Sequence, residues 1–450
     1  MTQSQWVFAA VLITSFIGPF MGSSINIAIP AMANDFSLPA EHLSWIVTIF
    51  LLGSVAVLVP FGKLADVIGR KALYRLGLLA LLAATIACGL AASVEMLIVC
   101  RLLQGIALGM IFSTGMAMLV SASRPQHRGR VIGYSAAATY IGLSLGPVLG
   151  GAVTQFFGWR MIFFLTAAGL GLSLLAITKV KGEWYGSAGD RLDFTGSIIY
   201  CTASVLMIYG LSACADYGAA RYMLAAGIGL LVLFVFQQKR TEHPLIALPL
   251  FKNTVFAMSN LAAMLHYSST FALSFLLSLY LQLIRGLDAA TAGLVLLQQP
   301  LMMALLSPLA GALSDKFQPR LVASTGMAMT ALGLAAFSGL TAESSLLAIS
   351  GDLLFIGIGF AFFSSPNSNA IMGAVEEKNY GVAAAILSVM RLSGQAVSMA
   401  LVTVLLAVYT VDALSPDYLP SLMRAFHEIF LVLAISCSCG VLISLARGKL

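Results

Sequence analysis

Fourteen stretches of this chain are apolar almost without a break. They lie near residues 6–30, 43–61, 74–92, 96–121, 131–153, 159–178, 193–213, 221–238, 255–283, 290–313, 321–340, 345–372, 381–409 and 425–446. A helix needs about 20 such residues to cross a hydrocarbon core of about 30 Å. Inside that core only helices and closed barrels satisfy the backbone, and long unbroken apolar runs select helices. Composition agrees: 60% of residues are hydrophobic and 9% charged, with a mean hydropathy of +0.96. A soluble globular chain is excluded, and an all-α integral membrane bundle is expected. The first run begins near Trp6 with no basic segment before it and no small-residue cleavage site, so it reads as an uncleaved first span.

The connecting loops set an orientation. Of the 24 Lys and Arg residues, eighteen fall on the side that carries the N-terminus and four (Arg160, Arg221, Arg285 and Arg424) on the other, while Arg101 and Arg391 lie within spans. Basic loops stay in the cytoplasm, so both termini are expected there, in a multi-pass protein of the cytoplasmic (inner) membrane. The net charge of +6 is scattered through short loops, which argues against a nucleic-acid partner.

The most charged of the early loops is Gly62-Lys-Leu-Ala-Asp66-Val-Ile-Gly69-Arg70-Lys71, set between two apolar runs. Its Gly, Asp and final basic residue recur at the same offsets in Gly311-Ala-Leu-Ser-Asp315-Lys-Phe-Gln-Pro-Arg320. Each loop follows the second span of a six-span set if the seventh and eighth spans are an insertion. This predicts a six-helix bundle over 1–178, two linker helices with flanking loops over 179–254, and a second six-helix bundle over 255–450, as in repeat-built transporters.

The loop at Gly62 resembles the signature loop of the major facilitator superfamily. Two further elements extend the resemblance: Arg101-Leu-Leu-Gln104-Gly105 in span 4, and Gly142-Leu-Ser-Leu-Gly146-Pro147-Val-Leu-Gly150-Gly151 in span 5. The latter is similar to the motif of exporters in that superfamily; its small residues admit a neighbouring helix and Pro147 permits a bend. Leu192-Asp193-Phe-Thr-Gly196, Glu242-His-Pro244 and Gly381 through Gly394 narrow the resemblance to the fourteen-span drug:proton antiporters. That family implies proton-coupled export of small organic molecules by alternating access. It also implies no cofactor and a monomer. An uncoupled facilitator or a proton symporter of the same fold is the alternative. One departure stands out: the family places an acid nine residues before Pro30, where this chain has Met21.

Ionisable groups inside spans mark pathways. Arg101 and Arg391 read either as attractors of an anionic substrate or regulators of a carboxylate, or as ties to carbonyls and helix ends. Asp352, the deepest acid, and His266, whose ordinary pKa suits proton exchange, complete the coupling candidates with Arg101. Asn26, Gln104, Tyr140, Gln298, Gln299, Arg391 and Gln395 are the polar residues expected to line a substrate cavity. In the loop, Gly62, Asp66, Gly69, Arg70 and Lys71 are expected to form a latch. Asp66 would bond a helix N-terminus of the other half, with Arg70 and Lys71 holding acidic partners or lipid phosphates. The six cysteines read as small hydrophobes. With no metal-ligand cluster, nucleotide loop or nucleophile motif, an enzyme is not expected; the partners are substrate, protons and the lipid bilayer.

Overall fold

The computed structural model describes residues 3–36, 40–186, 190–212, 220–246, 248–287, 289–409 and 417–448; Cys214 falls outside them, and so do the side chains of Asn26 and Trp45. The described residues form α1 (Gln3–Phe36), α2 (Ala40–Ile68), α3 (Arg70–Gly89), α4 (Val94–Ser121), α5 (Arg128–Phe157), α6 (Arg160–Thr178), α7 (Phe194–Ser212) and α8 (Ala220–Arg240). The second part contains α9 (Thr254–Thr270), α10 (Leu273–Leu279), α11 (Ala289–Leu296), α12 (Gln298–Lys316), α13 (Pro319–Phe337), α14 (Leu346–Gly373), α15 (Tyr380–Tyr409) and α16 (Tyr418–Ala446). Among the described residues, thirteen segments are long and apolar enough to cross a membrane, and Phe194–Gly210 is a shorter apolar helix. Large apolar side chains such as Phe156, Phe194 and Leu347 are exposed on the outside of the bundle, as lipid contact requires.

Two expected spans are interrupted. Span 9 is divided at Phe271 and Ala272 into α9 and α10, ending in a π-helical turn, Tyr280–Ile284. Span 10 is divided at Leu297 into α11 and α12. Pro300 has no N–H for the Leu296 carbonyl, which interrupts the ladder there.

Local chemistry sets the ends. Ser93, Asn253 and Ser345 cap α4, α9 and α14 by accepting backbone N–H groups, as short polar side chains do at these positions. Gly69 joins α2 to α3 at φ 109°, a conformation costly for any residue with a Cβ.

One apolar core lies within α1 to α6 and a second within α9 to α16. Between these halves α2 and α4 pack on α15, and α5 packs on α12 and α14. The inserted α7 and α8 pair with each other and lean on α2. Pro60 frees the Ala56 carbonyl in α2, and the Cys201 thiol of α7 donates to it at 3.1 Å. Past the end of α16, Arg447 is buried: Nη1 donates to Ser259 Oγ (3.0 Å) and Asn367 Oδ1 (2.7 Å), and Nη2 to the Pro319 carbonyl (3.1 Å).

Candidate functional site

The two echoing loops lie on the same side of the bundle and hold the halves together twice. Asp66 accepts the backbone N–H groups of Gly381 and Val382 at the start of α15. In the mirror arrangement, Asp315 accepts Gly129 N–H at 2.7 Å and Arg130 N–H at 3.0 Å at the start of α5. A carboxylate at a helix N-terminus meets unpaired N–H donors and the positive end of the dipole. The glycines explain how the backbones come near enough. A Cβ on Gly62 would stand 2.7 Å from Ala385 Cβ, and one on Gly381 would stand 2.7 Å from the Gly62 carbonyl oxygen.

The copies differ in charge. Arg70, fully buried, donates through Nε to Asp66 Oδ1 (2.9 Å), through Nη1 to Ser121 Oγ (2.8 Å), and through Nη2 to the Glu377 carbonyl. Its guanidinium carbon stands 5.6 Å from the centre of the Tyr380 ring, which Arg128 approaches to 5.5 Å. Pro319 replaces Arg70 in the second loop, and no cation lies within 4 Å of Asp315 among the described residues. Lys71 departs from expectation: its ammonium bonds the carbonyls of Val180 and Gly182 rather than an acid. The acid there, Glu183, instead accepts the N–H groups of Lys71 (2.7 Å) and Ala72 (2.9 Å), capping α3.

The connector from α6 to α7 crosses this latch. The Trp184 carbonyl accepts Arg70 N–H at 2.9 Å, and Gly186 N–H donates to the Asp66 carbonyl at 3.0 Å. Farther along, Asp190 bonds Lys63 Nζ (2.5 Å) and the His243 imidazole. None of these tethers is legible in the sequence, where 179–193 reads only as a hydrophilic stretch.

Toward the opposite side, α5 turns its small residues to α1 of its own half. Cβ atoms on Gly146 and Gly150 would stand 2.6 and 2.5 Å from Ser23 and Ser24 Cβ, and one on Gly142 would overlap the Phe16 carbonyl. A Cβ on Gly151 would meet only Ile27, at an ordinary 3.6 Å. Pro147 removes the donor for the Leu143 carbonyl, and Ser23 Oγ of α1 supplies one at 3.1 Å. Ser24 Oγ likewise donates to the Gly146 carbonyl at 3.0 Å, so the motif joins α5 to α1 through bare backbone and two borrowed hydroxyls.

At mid-height the seam is closed by a cluster drawn from both halves. Tyr140 of α5 donates to Ser364 Oγ of α14 at 2.9 Å, and Tyr267 of α9 lies 3.4 Å from the same oxygen. Phe360 stands edge-on to both rings, with centroids 5.7 Å from Tyr140 and 5.4 Å from Tyr267. Beside them Arg391 of α15 is half-buried; it bonds Ser368 Oγ at 2.6 Å and lies 5.6 Å from the Tyr267 ring centre. Gln395 is half-buried one turn along α15. Gln299 is buried one turn from Met303, which packs on Tyr140, and Gln298 bonds Ser350 of α14 at 3.0 Å.

The other candidates lie inside single halves. Arg101 is fully buried in the first half, with Nε on the Ile46 carbonyl (3.0 Å), Nη1 on Gln104 Oε1 (3.0 Å) and the Phe50 ring 4.1 Å from its guanidinium carbon. Gln104 Nε2 turns to Thr85 (2.8 Å) and to the Met21 sulfur (3.5 Å). Met21 thus fills the position of the missing acid, inside this polar knot. His266 is fully buried against Phe363 and Phe360. Its Nε2 lies 3.4 Å from Thr330 Oγ1, and its Nδ1 has no partner among the described residues. Asp352 is half-buried beside Gly333 of α13, where an added Cβ would stand 2.9 Å from its Oδ1. The structure brings Tyr140, Arg391 and Gln395 toward one site, with His266 packed behind it on Phe360 and beside Tyr267, and keeps Arg101, Gln104 and Asp352 in the interiors or seams of their own halves.

Comparison with known proteins gives the arrangement its relatives. The family model described as Major Facilitator Superfamily matches residues 11–259 and again 259–448. The riboflavin transporter RibZ of Clostridioides difficile is 30% identical over 86% of this chain and 85% of its own length. The multidrug resistance protein Stp of Mycobacterium tuberculosis is 29% identical over 90% of this chain and 77% of its own. The lincomycin resistance protein of Streptomyces lincolnensis is 29% identical over 86% and 81%. The crystal structure of the human organic anion transporter MFSD10 matches 98% of both chains with a TM-score of 0.66 at 13% identity, a likeness of fold.

Proposed function

This chain belongs to the major facilitator superfamily, and from that premise we propose that it exports small organic molecules across the cytoplasmic membrane in exchange for protons. The observation that carries the reading is the doubled latch: Asp66 on α15 and Asp315 on α5 close one side of the seam above the Tyr140, Tyr267 and Phe360 cluster. The basic loops put that side in the cytoplasm. The state is then one closed to the cytoplasm, and alternating access requires both latches to part. Names of relatives at about 30% identity, for resistance to drugs and for riboflavin transport, support a small organic substrate.

Substrate is held at the cluster, with Arg391 and Gln395 as its polar contacts. Asp352 and His266 carry the exchangeable proton in the second half, being ionisable groups set in apolar spans. Arg101 acts on the first half through Gln104. Proton binding favours one conformer and substrate the other, so each drives the other's release.

Met21 and the lack of a carboxylate in the cluster among the described residues favour one second reading, a facilitator without proton coupling. Proteoliposomes with an imposed pH gradient and an internal pH dye separate the two. Substrate-dependent proton flux supports antiport; substrate movement without proton flux removes the roles given to Asp352 and His266.

A further inference from the structure

We propose that the seam site selects aromatic organic anions, with Arg391 taking the acidic group and Tyr140, Tyr267 and Phe360 holding the ring. This substrate class rests on the reading of the seam as the transport site.

Arg391 differs from the fully buried arginines in how far its donors are used. Arg70 has Asp66, Ser121 and the Glu377 carbonyl. Arg101 has the Ile46 carbonyl, Gln104 and the Phe50 ring, and is sealed from any solvent. Arg447 has Ser259, Asn367 and the Pro319 carbonyl. Arg391, half-buried, has one hydrogen bond among the described residues, to Ser368, and its Nε, like that of Arg447, has no partner among them. No carboxylate lies within 4 Å of it among the described residues. A guanidinium carries five N–H donors in a fork that fits a carboxylate with two parallel bonds. The half-buried Arg128 and Arg320 also leave Nε without a partner, but among the described residues only Arg391 of the three stands against the Tyr140, Tyr267 and Phe360 cluster, so it is the arginine at this site with donors and charge left to give.

Its surroundings define the rest of the ligand. Tyr140 and Tyr267 each meet Phe360 edge to face, at 87° in both pairings, and when the seam parts their freed faces and edges can take an aromatic ring in the same offset or edge-to-face manner. Aromatic walls alone would also attract cations. Here the guanidinium of Arg391 already lies over Tyr267 and repels a second positive charge. Gln395, one turn away on α15 and half-buried, adds an amide for a neutral polar substituent.

The test uses the whole purified protein and three probes with the same ring: 2-naphthoate, 2-naphthamide and (2-naphthyl)trimethylammonium. Binding is measured by titration calorimetry and movement in proteoliposomes with an internal pH dye. Wild type is expected to bind 2-naphthoate saturably and more tightly than the other two. Arg391→Gln is expected to raise the Kd for 2-naphthoate about tenfold or more, the scale of lost charged hydrogen bonds, with the amide little changed. Arg391→Lys keeps the charge without the fork and falls between. Gln395→Glu, an acid one turn from Arg391, is expected to erase the preference for the anion and serves if Arg391→Gln fails to elute as a single folded species.

Preference of wild type for the ammonium probe, absence of saturable 2-naphthoate binding, or an unchanged Kd in folded Arg391→Gln would overturn the substrate class. Proton flux driven by the ammonium probe would do so while leaving antiport standing. Movement of 2-naphthoate without proton flux would support the class and remove the coupling.

Discussion

Gly129 of α5 and Gly311 of α12 meet backbone to backbone across the seam, so closely that a Cβ on either would overlap the other's carbonyl oxygen. Flexible side chains can swing aside from an intruding methyl; two helix backbones cannot. Gly311→Ala is expected to hold α5 and α12 apart, cutting transport about tenfold or more, since packed interiors forfeit contact rather than deform. A cysteine replacing Ser307, buried opposite Gly133, should then be labelled faster from the latch side. Normal transport in Gly311→Ala would show that the seam need not close this tightly.

Asp66 and Asp315 do the same work in unequal company. Removing the Asp66 charge leaves Arg70 buried without its counter-ion, a loss of roughly 3–5 kcal/mol for a broken buried pair. Removing the Asp315 charge weakens hydrogen bonds to two N–H groups, about 1.5–3 kcal/mol. Asp66→Asn is thus expected to lower the melting temperature and slow transport more than Asp315→Asn. Equal effects in both assays would mean that Arg70 is held by Ser121 and the Glu377 carbonyl alone.

The spans are legible in the sequence because lipid offers a spanning backbone no water, so each crossing must be a long apolar helix; of the fourteen expected, thirteen are long and apolar enough among the described residues and Phe194–Gly210 is shorter. The latch is legible too, since Gly62, Asp66 and Arg70 are spaced for one tight approach and one helix end. What the sequence cannot separate is Arg101 from Arg391. Both are lone cations in apolar runs of echoing halves, and only packing reveals that Ile46, Gln104 and Phe50 enclose the first while the second keeps free donors. Glu183, Tyr380 and Asp190 escape for a different reason. Their partners are loop atoms from distant parts of the chain, which no periodicity announces.

Met21 presses its sulfur on Gln104, which is bound in turn to Arg101. An acid placed there would find a guanidinium one side chain away. Met21→Asp is expected to fold and to remain within a few degrees of wild type in melting temperature. The double variant Met21→Asp with Arg101→Gln would bury an unpaired carboxylate, an environment costing several kcal/mol per ion, and is expected to misfold. A double variant as stable as Met21→Asp alone would show that Arg101 does not neutralise that position.

Asp352 is an acid in an apolar span with a glycine, Gly333, as its neighbour on α13. Asp352→Asn preserves shape and removes the titratable group. Substrate transport driven by a pH gradient is expected to fall about tenfold or more, the effect of removing one proton-transfer group, with the elution profile unchanged. Undiminished pH-driven transport would take Asp352 out of the coupling.

Asp190 anchors the connector that crosses the latch. Burial pushes its carboxyl up, but hydrogen bonds from Lys63 Nζ and the Arg191 N–H, with the charges of Lys63 and His243, outweigh that and hold it below its ordinary 3.8. A depressed carboxylate stabilises the fold fully above its unfolded pKa and ceases to do so as pH falls through the lower, folded value. The anchor is therefore expected to be intact throughout the physiological range. Asp190→Asn should release it at pH 7, read as faster hydrogen exchange over residues 179–193. Unchanged exchange would assign the anchoring to Glu183 and Trp184 instead.

The buried arginine beyond α16 bears on how this protein is handled. In the sequence, Arg447 looks like the first residue of a dispensable basic tail, the natural place to cut the chain or to begin a purification tag. In the fold it is the rivet that pins α9, α14 and the α12 to α13 turn to one another. Truncation after Ala446 would strip three helices of a common fastening. A tag that begins after Arg447 leaves that fastening in place.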